Sequence, residues 1–316
     1  MNEINPSAEL RVNPSAELRV NAEQSRSIKK AVIPIAGLGT RFLPLSKVVP
    51  KELWPIADLP VLQYILEEVR ASGIKQIVFV ISPEKKIVLD YFKKCPKLLE
   101  KLLTERKRDH LLAEFKRLEE LCEDLSLSYV YQKRPLGDGH AILQARNKIG
   151  EEPCAVLFAD DIVDSKTPCL LQLINVFKTC QKPVIALHRI PKEKIPFYGI
   201  AAIEKIANRF FKIKKIVEKP PADEAPSDLA IVGKYIITPE VFDYLKKAES
   251  GEKGETILAD IFGKMLKDGK IIYGYEFEGR WLECGNKLGW LESNLYLSLK
   301  HPQFGPKLKQ FLKEIQ

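Results

Sequence analysis

Alternation between short apolar runs and amphipathic helical patterns is the feature that most constrains the fold of this chain. From residue 29, buried-strand patterns such as KKAVIPIAG, KQIVFVIS and LSYVYQ are separated by helix patterns such as LPVLQYILEEVRASG and DGHAILQARNKI. This alternation predicts an α/β fold with a mostly parallel central sheet and helices on both faces. In such sheets ligands bind beyond the carboxyl ends of the strands, so the loops that follow strands are candidate sites.

Three further patterns make the prediction more specific. Residues 97–125 repeat leucines at helical spacing and predict one long amphipathic helix, and CAVLFADDIV predicts one strand that ends in acids. Past residue 196 four strand-like runs follow (YGIAAIEKI, RFFKIKKIVEK, IVGKYIIT and KIIYGYEFEG), and we expect them to extend the first sheet.

Composition excludes several classes of protein. No run of about 18 apolar residues predicts a membrane span. The six cysteines are scattered without a C-x-x-C pair, which indicates reduced thiols in a cytoplasmic protein, and the four histidines form no metal-ligand cluster. The net charge of +8 fits nucleic acid, a membrane surface or small polyanions. Aromatic residues do not interleave with the basic clusters, so nucleic-acid binding has little support.

The N-terminus carries a perfect tandem repeat, NPSAELRV, at residues 5–12 and 13–20. Two copies of eight residues are too few for a solenoid, because such units need several stacked repeats. We expect residues 1–27 to be a flexible extension, with a docking peptide as the alternative. Residues 28–316 are then a single domain, with a first part at 28–195, a second part at 196–300 and a C-terminal helix at 301–316.

The loop IAGLGTRFLPLSKVVPKE, residues 35–52, has the chemistry of a phosphate site. Gly37 and Gly39 let backbone N–H groups approach phosphate oxygens, Arg41 offers a planar fork, and Lys51 offers a mobile point charge. The ending of an ATPase P-loop is missing, as is the third glycine of a dinucleotide fingerprint. On glycines alone, an ordinary turn with surface cations is the favoured interpretation.

Two other loops carry charged pairs after strands. Asp160 and Asp161 follow CAVLFA, and a carboxylate there suits Mg²⁺ or caps the next segment. Neighbouring side chains on a strand point to opposite faces, so only one of the two would touch a metal directly. Glu218 and Lys219 in IVEKPP suit sugar hydroxyls and a phosphate, although such pairs are common on protein surfaces.

Together these loops match a known family. AGLGTRFLPLSKVVPKELWPIADLPVLQY closely resembles the signature of nucleotide-sugar pyrophosphorylases, in the form found in the bacterial UTP–glucose-1-phosphate uridylyltransferase branch. Four more matches follow in order: QKRPLGDGHA, FADDI, VEKP with LAIVGKYIITP, and WLECGNKLG. The resemblance covers about residues 29–300 and implies a Rossmann-like nucleotidyltransferase fold, usually assembled as a homodimer or homotetramer. It also implies that residues 28–316 are one catalytic domain, with a nucleotide-binding part at 28–195 and a sugar-binding part at 196–300.

The resemblance also implies roles for individual residues. Nucleotide contacts would come from Ala36, Gly37, Gly39, Gln132, Gly137 and Asp161, with Gln132 and Gly137 facing the uracil. The catalytic cations would be Arg41 and Lys51 on the triphosphate and Lys219 on the sugar phosphate. Glucose would be held by Gly199, Glu218, Lys219 and Gly233, and Mg²⁺ by Asp160 and Glu283.

Three positions depart from the family pattern. Glu283 stands where the family usually has aspartate, so metal coordination there could shift or pass through water. Asp138 replaces a usual leucine beside the base pocket, and we expect its carboxylate to point to solvent. Leu59 replaces a usual lysine and removes one cation near the start of a helix.

The implied reaction is Mg²⁺-dependent uridylyl transfer from UTP to α-D-glucose 1-phosphate, which gives UDP-glucose and pyrophosphate. Two alternatives remain open at this point: a nucleotidyltransferase that uses dTTP, CTP or another hexose 1-phosphate, and a non-catalytic regulatory paralogue.

Overall fold

The structure is a computed structural model that describes residues 27–249 and 254–315. The duplicated segment at residues 5–20 lies outside the described residues. The strands are β1 Lys30–Pro34, β2 Pro55–Ile56, β3 Leu59–Pro60, β4 Gln76–Ile81, β5 Ser126–Tyr131, β6 Cys154–Leu157, β7 Asp161–Asp164, β8 Val184–Arg189, β9 Gly199–Ala207, β10 Phe210–Glu218, β11 Leu229–Ile237, β12 Tyr273–Glu276 and β13 Arg280–Glu283. The helices are α1 Val61–Ala71, α2 Ile87–Asp90, α3 Lys97–Glu105, α4 Asp109–Glu123, α5 Asp138–Gln144, α6 Arg146–Ile149, α7 Cys169–Cys180, α8 Pro239–Glu249, α9 Leu258–Lys267, α10 Lys287–Lys300 and α11 Gly305–Glu314.

Within the described residues, a nine-stranded sheet runs in the order β5-β4-β1-β6-β11-β8-β12-β10-β9. The neighbours β5–β4, β4–β1, β1–β6 and β8–β12 are parallel, whereas β6–β11, β11–β8, β12–β10 and β10–β9 are antiparallel. The predicted combination of helices and strands is confirmed, but the sheet is mixed and not mostly parallel. One cause is local, because the two residues between β9 and β10 can make a hairpin but not a crossover.

The first half of the chain has the predicted parallel arrangement. Strands β1, β4 and β6 are short apolar runs whose side chains are mostly buried, as expected for strands covered on both faces. Helix α1 follows its predicted register, with Leu62, Ile65, Leu66 and Val69 buried in the core. Because β1, β4, β5 and β6 run in the same direction, their carboxyl ends lie along one edge of the sheet.

Two elements differ from their sequence prediction. The amphipathic pattern at residues 97–125 forms two helices, α3 and α4, because Lys107 adopts a φ of 54° that a right-handed helix does not continue through. The run CAVLFADDIV forms two strands. Its first part, β6, belongs to the large sheet, whereas β7 pairs with β13 in a separate two-stranded sheet. The break between them carries Asp160.

A buried ion pair connects the sheet to two helices. Lys234 on β11 has a fully buried side chain, and its Nζ lies 2.7 Å from Oε2 of Glu68 on α1. The other carboxylate oxygen of Glu68 accepts a hydrogen bond from the backbone N–H of Leu170 on α7, at 2.9 Å. This contact therefore holds β11, α1 and α7 together immediately beside Gly233.

None of the helices in residues 27–249 and 254–315 combines the length and hydropathy that crossing a bilayer requires.

Candidate active site

The loops after β1, β4, β5 and β6 meet at the shared carboxyl edge. The backbone N–H of Ile35 donates to the carbonyl of Val80, and that of Gln132 donates to the carbonyl of Ile81, so the polypeptide stays in register as it leaves the sheet. In the first loop Ala36 is buried, while no described heavy atom lies within 4 Å of a Cβ built on Gly37. Gly39 has a φ of 66°, a conformation that favours glycine, and it starts the short helical turn that carries Arg41.

Lys51 and Asp160 form the central ion pair of this edge. The Lys51 Nζ lies 2.5 Å from Oδ2 of Asp160, and both side chains are about one-quarter exposed. Burial favours the neutral form of Asp160, but the Lys51 ammonium and the Arg41 guanidinium outweigh it and lower the pKa of Asp160 below its usual value. Burial likewise opposes the charge on Lys51, yet Asp160 and Glu52 raise its pKa above the usual value. Both groups therefore remain charged.

Arg41 also lies close to Asp160. Its Nη1 donates to the carbonyl oxygen of Gly285 at 3.2 Å, and a Cβ at Gly285 would lie 3.0 Å from Oδ2 of Asp160. The backbone N–H of Cys284 also donates to the carbonyl of Asp160 at 2.7 Å. The structure thus brings Asp160 next to Arg41 and Lys51, although Asp160 is 109 residues from Lys51 in the sequence.

Asp161 points away from Asp160 and into the protein. Its carboxylate accepts from the indole N–H of Trp281 at 2.7 Å and from the backbone N–H of Gly233 at 3.0 Å. Burial, assisted by the charge of Asp160, raises the pKa of Asp161 to about 7 against the opposing effects of Trp281 and Lys234. A Cβ at Gly233 would lie 2.3 Å from Oδ2 of Asp161, so glycine is needed for this contact.

Glu283 lies opposite Asp161 in the β13–β7 pair, and the hydroxyl of Tyr198 donates a hydrogen bond to its carboxylate. Burial raises the pKa of Tyr198, and the Glu283 carboxylate raises it further, so the phenol stays protonated and able to donate. The Glu283 side chain therefore ends at a hydrogen bond from Tyr198.

Three of the four predicted sugar residues, Gly199, Glu218 and Lys219, lie on the β9–β10 hairpin or directly after it. Gly199 and Glu218 are register partners, and a Cβ at Gly199 would lie 3.0 Å from the Glu218 carboxylate. Lys219 has a φ of 45°, and its backbone N–H donates to the carbonyl of Tyr198 at 3.1 Å. Tyr198 consequently touches Lys219 through its main chain and Glu283 through its hydroxyl. Gly233 lies apart from this hairpin, on β11 behind Asp161.

A cavity of about 730 Å³ joins these two groups of residues. It is lined by Arg41 from the first loop, Tyr198 and Lys219 from the hairpin, and Arg280, Trp281 and Glu283 from β13. Three of these side chains are cationic, which suits an anionic ligand between the phosphate loop and the hairpin.

Gln132 and Gly137 form a separate part of the edge. The Gln132 side chain is buried, and its Nε2 donates to the carbonyl of Gly137 at 2.9 Å.

The prediction that the Asp138 carboxylate points to solvent is wrong. Its side chain is half-buried, and Oδ1 accepts from the backbone N–H of Leu258 at 2.8 Å, because the first N–H groups of a helix need an acceptor.

Sequence reasoning missed Tyr198, Trp281 and a buried ion pair behind Lys51. In that pair Nζ of Lys85 lies 2.9 Å from both carboxylate oxygens of Glu52. Burial lowers the pKa of Lys85 despite the attraction of Glu52. The position of Tyr198 next to Gly199 was the signal available in the sequence, whereas nothing in the sequence pairs Lys85 with Glu52.

The described residues include no group of three or more His, Cys, Asp or Glu side chains able to hold a metal ion. Asp160 lies at the cationic edge, and Glu283 lines the adjoining cavity. Mg²⁺ is commonly bound by one or two carboxylates together with water and substrate phosphates, so this donor set fits that ion.

The sequence profile of the Nucleotidyl transferase family matches residues 30–298. The chain belongs to this family. It is 42% identical over 290 residues to the UTP–glucose-1-phosphate uridylyltransferase of Staphylococcus haemolyticus, which covers 92% of this chain and 99% of that protein. The corresponding Bacillus subtilis protein is 40% identical over 288 residues, covering 91% of this chain and 97% of that one.

Solved structures agree with this nucleotidyl transferase assignment. A UTP-bound UGPase from Acinetobacter baumannii superposes with a TM-score of 0.83 at 36% identity, covering 92% of this chain and all of that chain. A UDP-glucose pyrophosphorylase complexed with UDP-glucose superposes with a TM-score of 0.77 at 34% identity, covering 87% and 100%. The family resemblance and the nucleotidyltransferase fold predicted from the sequence are therefore confirmed.

Proposed function

We propose that this nucleotidyltransferase transfers a uridylyl group from UTP to α-D-glucose 1-phosphate, with Mg²⁺ as the metal ion. The observation that carries the proposal is the convergence of Arg41, Lys51 and Asp160 at one edge of the sheet, next to a cavity that Lys219 also lines. Two polyanions can meet there under cations from both sides. The relatives named UTP–glucose-1-phosphate uridylyltransferase support the choice of substrates.

In the proposed reaction a phosphate oxygen of glucose 1-phosphate attacks the α-phosphorus of UTP. The new P–O bond forms as the bond between the α-phosphorus and the bridging oxygen of the β-phosphate breaks, and pyrophosphate leaves with that electron pair. The nucleophile needs no general base, because a phosphate monoester with a second pKa of about 6 is largely ionised at pH 7. Positioning and electrostatic stabilisation then supply most of the rate.

In the proposed reaction the three cations would bind different phosphates. Arg41 and Lys51 would bind the β- and γ-phosphates and stabilise the charge that develops on the leaving pyrophosphate. Lys219 would hold the sugar phosphate and reduce its repulsion from the α-phosphate. Ala36, Gly37 and Gly39 would present backbone to the nucleotide, with Asp161 holding the nearby chain in place.

The specificity residues lie on either side of these cations. Gln132 and Gly137 would face the uracil. Glucose hydroxyl groups would contact Glu218 and the backbone at Gly199 and Gly233. At these two positions a Cβ would crowd the carboxylates of Glu218 and Asp161, respectively.

Asp160 would hold the metal ion, and Glu283 would assist directly or through water. A metal ion held there would supply positive charge that offsets the charge of the substrate phosphates. Lys51, whose ammonium lies on the same carboxylate, would orient Asp160 and contribute charge to the triphosphate.

Residues 28–316 would act as one catalytic domain in the cytoplasm, assembled as a homodimer or homotetramer. Size-exclusion chromatography with light scattering tests the assembly, and a monomer at micromolar concentration would contradict it.

The decisive experiment for the reaction is a pyrophosphate-release panel. UTP, dTTP, CTP and ATP are each combined with the 1-phosphates of glucose, galactose and N-acetylglucosamine, with Mg²⁺ or with excess EDTA. We expect the highest kcat/KM for UTP with glucose 1-phosphate and no release in EDTA. Preference for another pair would change the assigned substrates, and no release from any pair would favour a regulatory paralogue.

A further inference from the structure

Asp138 joins two segments that are far apart in the sequence. Its Oδ1 accepts from the N–H of Leu258, the first residue of α9, at 2.8 Å. Ile257, the residue before the helix, has an aliphatic side chain and cannot supply this acceptor. Asp138 therefore does for α9 what an N-cap residue normally does from within the same segment.

Two backbone hydrogen bonds reinforce the contact. The N–H of Gly139 donates to the carbonyl of Thr256, and the N–H of Thr256 donates to the carbonyl of Leu136, both at 2.8 Å. The segments lie so close that a Cβ at Gly137 would be 2.4 Å from the Thr256 carbonyl oxygen, and one at Gly139 would be 2.9 Å from it. The loop at residues 136–139 is thus bonded both to Thr256, just before α9, and to Leu258, the first residue of that helix.

The same loop carries Gly137 and is bonded to Gln132, the two base-facing residues of the proposed function. The carbonyl of Gly137 accepts from the Gln132 side chain at 2.9 Å, and Gln132 is also 2.9 Å from Nδ1 of His140. Asp138 is next to Gly137 and half-buried, with its carboxylate turned toward α9. Any displacement of the loop from α9 would move Gly137 and, through it, Gln132.

We propose that Asp138 is a positioning residue for the nucleobase: by capping α9 it fixes the loop that places Gly137 and Gln132 against the uracil. This inference rests on the proposed function for the identity of the base. It assigns a role to a position where the family pattern led us to expect a solvent-directed carboxylate.

Three variants separate this role from simple stabilisation. Asp138→Ala removes the acceptor, whereas Asp138→Asn keeps Oδ1 and removes only the charge. Asp260→Ala is the matched control, because Asp260 is an exposed acid in the first turn of the same helix. Each protein is assayed in both directions, which gives KM values for two ligands that contain uracil, UTP and UDP-glucose, and for two that lack it, glucose 1-phosphate and pyrophosphate.

We expect Asp138→Ala to raise KM for UTP and UDP-glucose about fivefold, the factor that corresponds to the loss of one N-cap contact. KM for glucose 1-phosphate and pyrophosphate should stay unchanged. Asp138→Asn and Asp260→Ala should both resemble the wild type. The inference would be overturned if Asp138→Ala changed KM equally for all four ligands, or if it lowered stability and left every KM unchanged. It would also be overturned if Asp260→Ala raised KM for the uracil-containing ligands in the same way.

Calorimetric titration with UTP and with pyrophosphate keeps this result separate from the reaction itself. If the wild type binds UTP but releases no pyrophosphate, the proposed function fails. The inference is then still decided by whether Asp138→Ala weakens UTP binding and leaves pyrophosphate binding unchanged. A wild type that does not bind UTP would overturn both.

Discussion

Replacing Lys234 by methionine should destabilise the protein far more than replacing any exposed lysine. Methionine fills most of the volume of the lysine side chain but removes its ammonium, so the main loss is electrostatic. Lys234 is fully buried, and its Nζ lies 2.7 Å from Oε2 of Glu68, whose side chain is 9% exposed. Lys234→Met would therefore leave a carboxylate buried without its counter-ion.

The expected cost follows from that burial. Removing one partner of a buried ion pair costs about 3–5 kcal/mol, because the remaining charge keeps its desolvation penalty and loses its compensation. Native domains are stable by about 5–15 kcal/mol, so the variant would lose a large fraction of its stability. The second change Glu68→Gln should recover most of it, since glutamine removes the unpaired charge and still offers Oε1 to the N–H of Leu170.

Urea unfolding followed by tryptophan fluorescence measures both effects. We expect Lys234→Met to lower the midpoint by at least about 1 M at an unchanged m-value, and Lys234→Met with Glu68→Gln to raise it again. Lys214→Met is the control, because Lys214 pairs with Glu204 at the surface, and its midpoint should match the wild type. A loss below about 1 kcal/mol for Lys234→Met, or a double variant no more stable than the single one, would refute the reasoning.

Three further predictions concern the site. Burial raises the pKa of Asp161 to about 7, so the folded protein keeps a proton that the unfolded chain releases above about pH 4. The free energy of unfolding should therefore fall as the pH rises from about 4 to 7. Urea midpoints measured at a series of pH values should fall less steeply over this range for Asp161→Asn than for the wild type. Gly37→Ala should leave the urea midpoint unchanged, because the new Cβ meets no described atom within 4 Å. It should raise KM for UTP, because that Cβ blocks the approach of phosphate to the backbone. An unchanged KM would contradict the nucleotide role of Gly37. Lys219→Ala and Asp160→Ala should each lower kcat roughly 100-fold or more with an unchanged circular dichroism spectrum, and rates like those of the wild type would disprove their roles.

Much of the nucleotide side was predictable because its signals are local. The apolar runs of β1, β4 and β6 and the helical register of α1 depend on neighbours in the sequence, and the loops that follow strands can be located from them. The placement of Arg41, Lys51 and Asp160 along one edge then follows from parallel strands. Topology alone brings these three residues to the edge, without any side-chain contact between them being known.

The remaining features depend on contacts between distant segments. The amphipathic pattern continues through Lys107, so periodicity cannot indicate the break there, which is a backbone conformation. Strand β11 enters the sheet between β6 and β8 and reverses its direction, which no local pattern specifies. The acceptor role of Asp138 could not be predicted from its neighbours, because its donor, Leu258, is 120 residues away in the sequence.

Tyr198 has a consequence for attempts to redesign this enzyme. Its main chain belongs to the hairpin proposed to bind the sugar, while its hydroxyl bonds to Glu283 on β13. Grafting the hairpin of a relative that accepts another sugar would also replace the donor to Glu283. The hairpin and residue 283 therefore form one exchangeable module, and a chimera that transfers them together should retain more activity than one that transfers the hairpin alone.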